Sequence, residues 1–398
     1  MSSPLSSAAI DALRARTPGA STTTHFNHAG ASLPSAATLE AIHAHLMREA
    51  TAGPMEAGAT GREQSARARA LAAQLFNAQP NEIALTTGGS ASWGIAFAAL
   101  GPWQPGQRIL VGRHEWGGNL ASMYYAAQRA GASVETIPSD SSGMVDPHAL
   151  EAMLDDSVRL IALTWLPANG GLINPAAAIG RVARRHGIPY LIDAAQAVGQ
   201  VPVDVAELGC DMLAGAGRKA LRGPRGTGLL YVRQDFLSRL MPAFVDIHSA
   251  PLDAHGEPVL RNDAARFELS ETAFALHCGL ANALHEALEI GIDTIRAQID
   301  QIAQRLRLQL ADIPSVSVLD QGTELSGLVS FNVAGLDAAS VRSSLAAQGI
   351  AISSNGVSYT PLDMTHRGLQ QVARASVSYL TTDTEIERLL AAIRALVH

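Results

Sequence analysis

PYLIDAAQAVGQ, residues 189–200, runs from Pro189 through three apolar residues to Asp193 and then into small residues. A short, uninterrupted apolar run of this kind fits a strand buried on both faces, as in a parallel sheet covered by helices. The surroundings repeat the pattern. VRLIALTWL (158–166) and the helix-period stretch PAAAIGRVARRHG (175–187) precede it, and DMLAGAG (211–217) and TGLLYV (227–232) follow. Farther upstream, SARARALAAQLF (65–76), SASWGIAFAAL (90–100), MYYAAQRAGA (123–132) and HALEAMLD (148–155) read as helices between the strand-like runs EIALTT (82–87), RILVG (108–112) and SVETIP (133–138). The alternation predicts an α/β domain built on a mostly parallel seven-stranded sheet flanked by helices.

Beyond residue 255 the character changes. One long helix is expected over 271–313, followed by strands at LVSFNVA (328–334), GIAISS (349–354) and ARASVSYL (373–380), with helices at AASVRSSLAAQ (338–348) and TEIERLLAAIRALV (384–397). The expected organisation is an N-terminal arm (1–24), a large α/β domain (25–255) and a smaller α+β C-terminal domain (256–398).

The chain has 398 residues, is 47% hydrophobic and 16% charged, and carries a net charge of -7. That length supports a substantial core, and the charge argues against nucleic acid or an anionic membrane, which demand clustered cations. A small-molecule partner is expected instead. The N-terminus lacks a signal-peptide layout, and no apolar run reaches the roughly 20 residues of a membrane helix. Only Cys210 and Cys278 occur, which suits a reducing cytoplasm. No metal is expected: His43 and His45 do not share a helix face, His25 and His28 lie in a loop-like stretch, and no zinc-type spacing accompanies them.

GRKALRGPRGTG (217–228) holds Lys219, the one lysine beside 28 arginines (29 Lys+Arg less one). Arginine can replace lysine as a charge but not as a deprotonatable amine, so Lys219 is a Schiff-base candidate. Asp193 ends its strand where open parallel sheets bind ligands, although a carboxylate there also suits a helix cap. Gly89, Ser90 and Ala91 in LTTGGSASWGIAF (85–97) lie between a strand and a helix, where free amides and the helix dipole can hold a phosphate. Trp116 in RHEWGGN (113–119) is placed either to stack on a planar cofactor or to pack within a loop. Arg374 in QVARASVSYL (371–380) could grip a carboxylate or form an ordinary ion pair.

Together these motifs resemble the class V aminotransferase family of pyridoxal-phosphate enzymes, fold type I, nearest to hercynylcysteine sulfoxide lyases, isopenicillin N epimerase-like proteins and cysteine desulfurases. The resemblance runs from FNHAGASLP (26–34) to RASVSYLTTDTEIERL (374–389). It implies pyridoxal 5'-phosphate as cofactor, held in the large domain, and a homodimer with shared active sites. It further implies Lys219 as the Schiff-base lysine, Asp193 at the pyridine nitrogen, Gln196 at the ring oxygen, Trp116 on the ring face, and Gly89, Ser90 and Arg218 at the phosphate. Asn27, Gly30 and Arg374 are then expected around the substrate.

The sequence also departs from the family pattern. AISSNGVSYTPLD (351–363) lacks the persulfide-forming cysteine of desulfurases, Ala216 and Ala220 stand where a serine and an aromatic are common, and RFELSETAF (266–274) replaces the desulfurase threonine pattern. The chemistry the resemblance implies is an external aldimine followed by α-proton abstraction by Lys219. The leading expectation is a carbon-sulfur lyase on a cysteine-derived substrate, by β-elimination. The alternatives are an epimerase or racemase, an aminotransferase, or a catalytically silent binding module of this fold. A nicotinamide-dependent oxidoreductase is weaker, for want of a dinucleotide glycine fingerprint.

Overall fold

The computed structural model describes residues 3–397. Its strands are β1 (Thr24–His25), β2 (Ile83–Thr86), β3 (Arg108–Gly112), β4 (Ser133–Ile137), β5 (Val158–Thr164), β6 (Tyr190–Asp193), β7 (Met212–Ala216), β8 (Gly228–Val232), β9 (Val316–Val318), β10 (Leu328–Val333), β11 (Ile350–Ala351), β12 (Ser353–Gly356) and β13 (Gln371–Ser376). Strands β2 to β8 form a seven-stranded sheet in the order β2-β8-β7-β6-β5-β3-β4. All its pairings are parallel except those of β8, which runs antiparallel to β2 and β7.

The apolar run that opened the reading is the centre of this sheet. Tyr190 and Ile192 point into one buried cluster with Ile179 and Val182, whereas Leu191 points into the opposite cluster with Trp93 and Met123. Successive side chains on a strand face opposite ways, so a strand between two helical layers must be apolar at every position. Asp193, the first polar residue, falls where the strand leaves the core.

The expected long helix after residue 270 is two helices, Phe274–Ile290 and Ile292–Ala311. Gly291 separates them at φ 85°, a left-handed conformation that interrupts helical hydrogen bonding and that glycine adopts without steric cost. The first helix packs on Ala36–Ala52 and Pro54–Phe76, helices that precede the large sheet, whereas the expected boundary at 255/256 groups it with the C-terminal domain.

A four-stranded antiparallel sheet, β12-β13-β10-β9, forms the second layered unit. The segment expected as a single strand at 349–354 divides into β11 and β12, because β11 turns away to pair with β1 in parallel. The N-terminal segment is fastened there. Arg14 donates to Glu385 at 2.9 Å and to the Leu380 carbonyl at 2.8 Å.

Candidate active site

The carboxyl ends of the parallel strands, the β7–β8 connection and the edge of the small sheet enclose a cavity of about 610 Å³, a volume suited to a cofactor-sized ligand. Asn27, Gly30, Gly89, Ser90, Trp116, Asp193, Gln196, Arg218, Lys219 and Arg374, all anticipated from the sequence, line it. Ala91 does not; it turns toward an apolar groove on the other side of its helix.

Lys219 sits in the connection between β7 and β8, and that connection is clamped from several sides. Gly217 N donates to Thr227 O at 3.1 Å, Gly223 N to Gly217 O at 2.8 Å, and Ser32 N to Arg218 O at 2.9 Å. Buried Arg222 adds bonds from its guanidinium to Leu33 O (2.9 Å), the Tyr379 hydroxyl (2.7 Å) and Thr17 Oγ1 (2.6 Å). The Lys219 amine makes no hydrogen bond among the described residues, and burial pulls its pKa down to about 8; Asp193 opposes this shift, while Arg218 and Arg374 reinforce it. The result is an amine that gives up its proton more easily than an exposed lysine.

Asp193 is buried and accepts hydrogen bonds from Asn119 Nδ2 at 2.8 Å and from Ala195 N at 2.9 Å. Gln196 donates to the Ala29 carbonyl at 3.1 Å, which ties the strand-end turn to the N-terminal loop bearing Asn27 and Gly30. Trp116 precedes the helix Gly117–Ala130, and its backbone N donates to Thr164 Oγ1 at 3.2 Å.

At another wall, the helix Gly89–Ala99 begins beside the end of β7, where a Cβ on Gly89 would lie 3.1 Å from Ala216 Cβ. A Cβ on Gly228 would lie 2.5 Å from the Gly88 carbonyl carbon, so a residue without a side chain is required for β8 to approach this turn. Arg218 and exposed Arg225 line the same cavity, and neither has a carboxylate partner among the described residues. Burial and Arg225 both lower the Arg218 pKa, as expected for two cations held near each other without a counter-charge. First-turn amides plus two unpaired guanidinium groups are the donor set of a phosphate site.

Arg374 is buried on β13. Its Nη1 donates to Ala168 O at 2.6 Å and its Nη2 to Asn27 Oδ1 at 3.3 Å, whereas Nε has no partner. Burial lowers its pKa to about 10, with Tyr359 opposing and Arg218 adding to the shift. A buried guanidinium that lacks a carboxylate and faces a cavity fits an anionic ligand. The site therefore suits a molecule with a phosphate, a carbonyl able to condense with an amine, and a cationic ring nitrogen near Asp193.

Several lining residues were not singled out from the sequence: His25, Tyr359, Arg225 and Thr227. Glu115, beside Trp116, was also passed over; it is completely buried.

A family model described as aminotransferase class-V matches residues 24–389, and the chain belongs to the class V aminotransferase family of pyridoxal-phosphate-dependent enzymes. A probable cysteine desulfurase of Xylella fastidiosa strain 9a5c is 30% identical over 328 residues, covering 82% of this chain and 78% of the relative. Among solved structures, the apo cysteine desulfurase of Thermococcus onnurineus NA1 superimposes with a TM-score of 0.89 at 25% identity, over 97% of this chain and 98% of the other. The cystine C-S lyase C-DES, in complex with its reaction product cysteine persulfide, gives a TM-score of 0.86 at 29% identity, covering 95% and 99%. A lysine-to-alanine variant of C-DES has glycine covalently linked to its PLP cofactor. Pyridoxal 5'-phosphate is the cofactor of this fold, and the donor set above fits it.

Proposed function

We propose that this chain is a carbon-sulfur lyase that cleaves a cysteine-derived amino acid by β-elimination. The carrying observation is the Lys219 amine, with its pKa near 8, in one cavity with Asp193 and the buried, carboxylate-free Arg374. With pyridoxal phosphate bound, Gly89, Ser90 and Arg218 would hold its phosphate, Trp116 would cover the ring, Gln196 would meet the ring oxygen and Asp193 would keep the ring nitrogen protonated. Bound pyridoxal phosphate supplies an electron sink for the pair left at Cα. Lys219 takes the α proton as general base, Arg374 fixes the substrate carboxylate, and Asn27 and Gly30 complete the substrate wall. The sulfur substituent departs with the Cβ–S electron pair, and hydrolysis of the product yields pyruvate and ammonia.

The cysteine inventory favours direct release over sulfur relay through the enzyme. Cys210 and Cys278 are both free and buried, and burial raises both thiol pKa values, which disfavours the thiolate that attacks sulfur. The 351–363 segment, where desulfurases carry that cysteine, instead contributes Ser353 and Tyr359 to the cavity. The decisive assay follows pyruvate and ammonia from cysteine, cystine and cysteine S-conjugates. Stoichiometric transfer of the amino group to a keto acid without pyruvate, or inversion at Cα alone, would replace the lyase reading with the aminotransferase or epimerase reading.

Arg374→Gln removes the charged fork while leaving an amide to meet Asn27. KM for the amino acid should rise roughly 10- to 100-fold, the usual worth of a charge-assisted carboxylate pair, with a smaller change in kcat. An unchanged KM in steady-state assays refutes this assignment.

The assembly we propose is a homodimer. Phe244 (63% exposed) and Ile247 (71%) stand out from the 241–269 segment. Phe244 and Leu269 also edge an apolar groove with Ile95 and Ala98. Exposed apolar side chains beside an apolar groove suit burial against a second copy. No helix of the described residues is long and apolar enough to cross a membrane. We place the enzyme in the cytoplasm, on the strength of its two unpaired cysteines.

A further inference from the structure

We propose that Glu115 is a positioning residue for the cofactor: through Asn119 it sets Asp193, and through Thr164 it sets Trp116. The inference rests on the reading of Asp193 and Trp116 as the partners of the ring nitrogen and the ring face. Glu115 does not line the cavity and is completely buried. It lies where three strand ends meet: just past β3, beside Thr164 at the end of β5, and one side chain away from Asp193 at the end of β6.

The hydrogen bonds form one directed chain. Asn119 Nδ2 donates both to Glu115 Oε1 at 2.7 Å and to Asp193 Oδ2 at 2.8 Å. The Thr164 backbone N donates to Glu115 Oε2 at 2.9 Å, and the Thr164 hydroxyl donates to Oε1 at 2.8 Å. That hydroxyl in turn accepts from Trp116 N at 3.2 Å. Each of these bonds is donated to Glu115, so both carboxyl oxygens serve as acceptors, two bonds at Oε1 and one at Oε2.

Holding a second carboxylate so near Asp193 is unfavourable. Burial and the Asp193 charge push the Glu115 pKa up to about 7, while the bonds from Asn119 and Thr164 act against that rise. An apolar residue would fill the space without this penalty, so the function of Glu115 lies in orientation. With Glu115 in place, Asn119 can present its amide to Asp193 in one direction only, and the loop carrying Trp116 is pinned to the same strand end. A ring bound in the cavity then meets its nitrogen partner and its stacking partner in a fixed relation, as outer-layer groups fix the ligands of other prosthetic groups.

The test uses the purified, cofactor-loaded protein. Glu115→Gln places an N–H against an N–H whichever way the amide turns, and Thr164→Val removes the link to Trp116 while conserving shape; Thr164→Ser keeps the hydroxyl. Cofactor dissociation constants, the pH midpoint of the visible absorption band, and melting of the cofactor-free protein are measured for these variants and for Asp193→Asn. Glu115→Gln and Thr164→Val should weaken cofactor binding by roughly 10-fold or more and displace the pH midpoint, with Thr164→Ser restoring both. If Glu115→Gln does not fold, the Thr164 pair decides. Parent-like affinity and midpoint in Glu115→Gln and Thr164→Val, beside an altered Asp193→Asn protein, overturn the positioning role alone, as does a Thr164→Ser protein no better than Thr164→Val. An unaltered Asp193→Asn protein overturns the reading of Asp193 and this inference with it.

Discussion

Lys219→Arg should lose turnover by roughly 10³-fold or more and lose the visible absorbance of the bound cofactor, while its melting temperature stays near that of the parent. The substitution keeps a positive charge but removes the cavity amine whose deprotonation burial favours. The Lys219 pKa near 8 comes first from burial, with Arg218 and Arg374 adding to the effect. Guanidinium cannot respond to that environment by deprotonating. Borohydride reduction of the parent should fix the cofactor covalently to Lys219, and the same treatment of the variant should leave the protein unlabelled. A yellow, active Lys219→Arg protein would falsify the assignment of both the Schiff base and the α-proton base to this residue.

Asp193→Asn should cost roughly 10²- to 10³-fold in kcat, comparable with removing one preorganised electrostatic partner from other active sites. Two effects combine. On the proposed role of Asp193, the negative charge that would keep the ring nitrogen protonated disappears, and with it the driving force for electron withdrawal from Cα. In addition, Asn119 Nδ2 and Ala195 N both donate to this carboxylate, one to each oxygen, and an amide can accept through only one atom. Cofactor should still attach through Lys219, so the protein should remain coloured with a displaced absorption maximum. Steady-state kinetics showing kcat within a few-fold of the parent would remove Asp193 from the ring-nitrogen role.

The parts of the site legible in the sequence share a property: each is a residue type whose chemistry is rare and local. A lone lysine among arginines, an acid at the end of an apolar strand and glycines before a helix are readable because backbone geometry alone places them at the ligand-binding edge of a parallel sheet. Arg374 was legible as one of two readings, a carboxylate grip or an ordinary ion pair, and only the family resemblance favoured the first. Glu115 was missed for the opposite reason. Its neighbours Thr164 and Asp193 are 49 and 78 residues away in the chain (164 less 115; 193 less 115), and no local pattern announces that three strand ends converge. The break at Gly291 was overlooked because the apolar spacing continues across it, and periodicity does not register a change of axis.

The sequence by itself determined the seven-stranded sheet, the class of cofactor and the lysine candidate that the fold brings into the cavity. Two-sided burial of a strand and the need for a deprotonatable amine are each written in residue type and order. Tertiary structure alone decided how the acid at the strand end is held and which cations remain without a counter-charge. Those properties depend on desolvation and on hydrogen bonds between residues far apart in sequence, and both come into existence only when the strand ends are brought together.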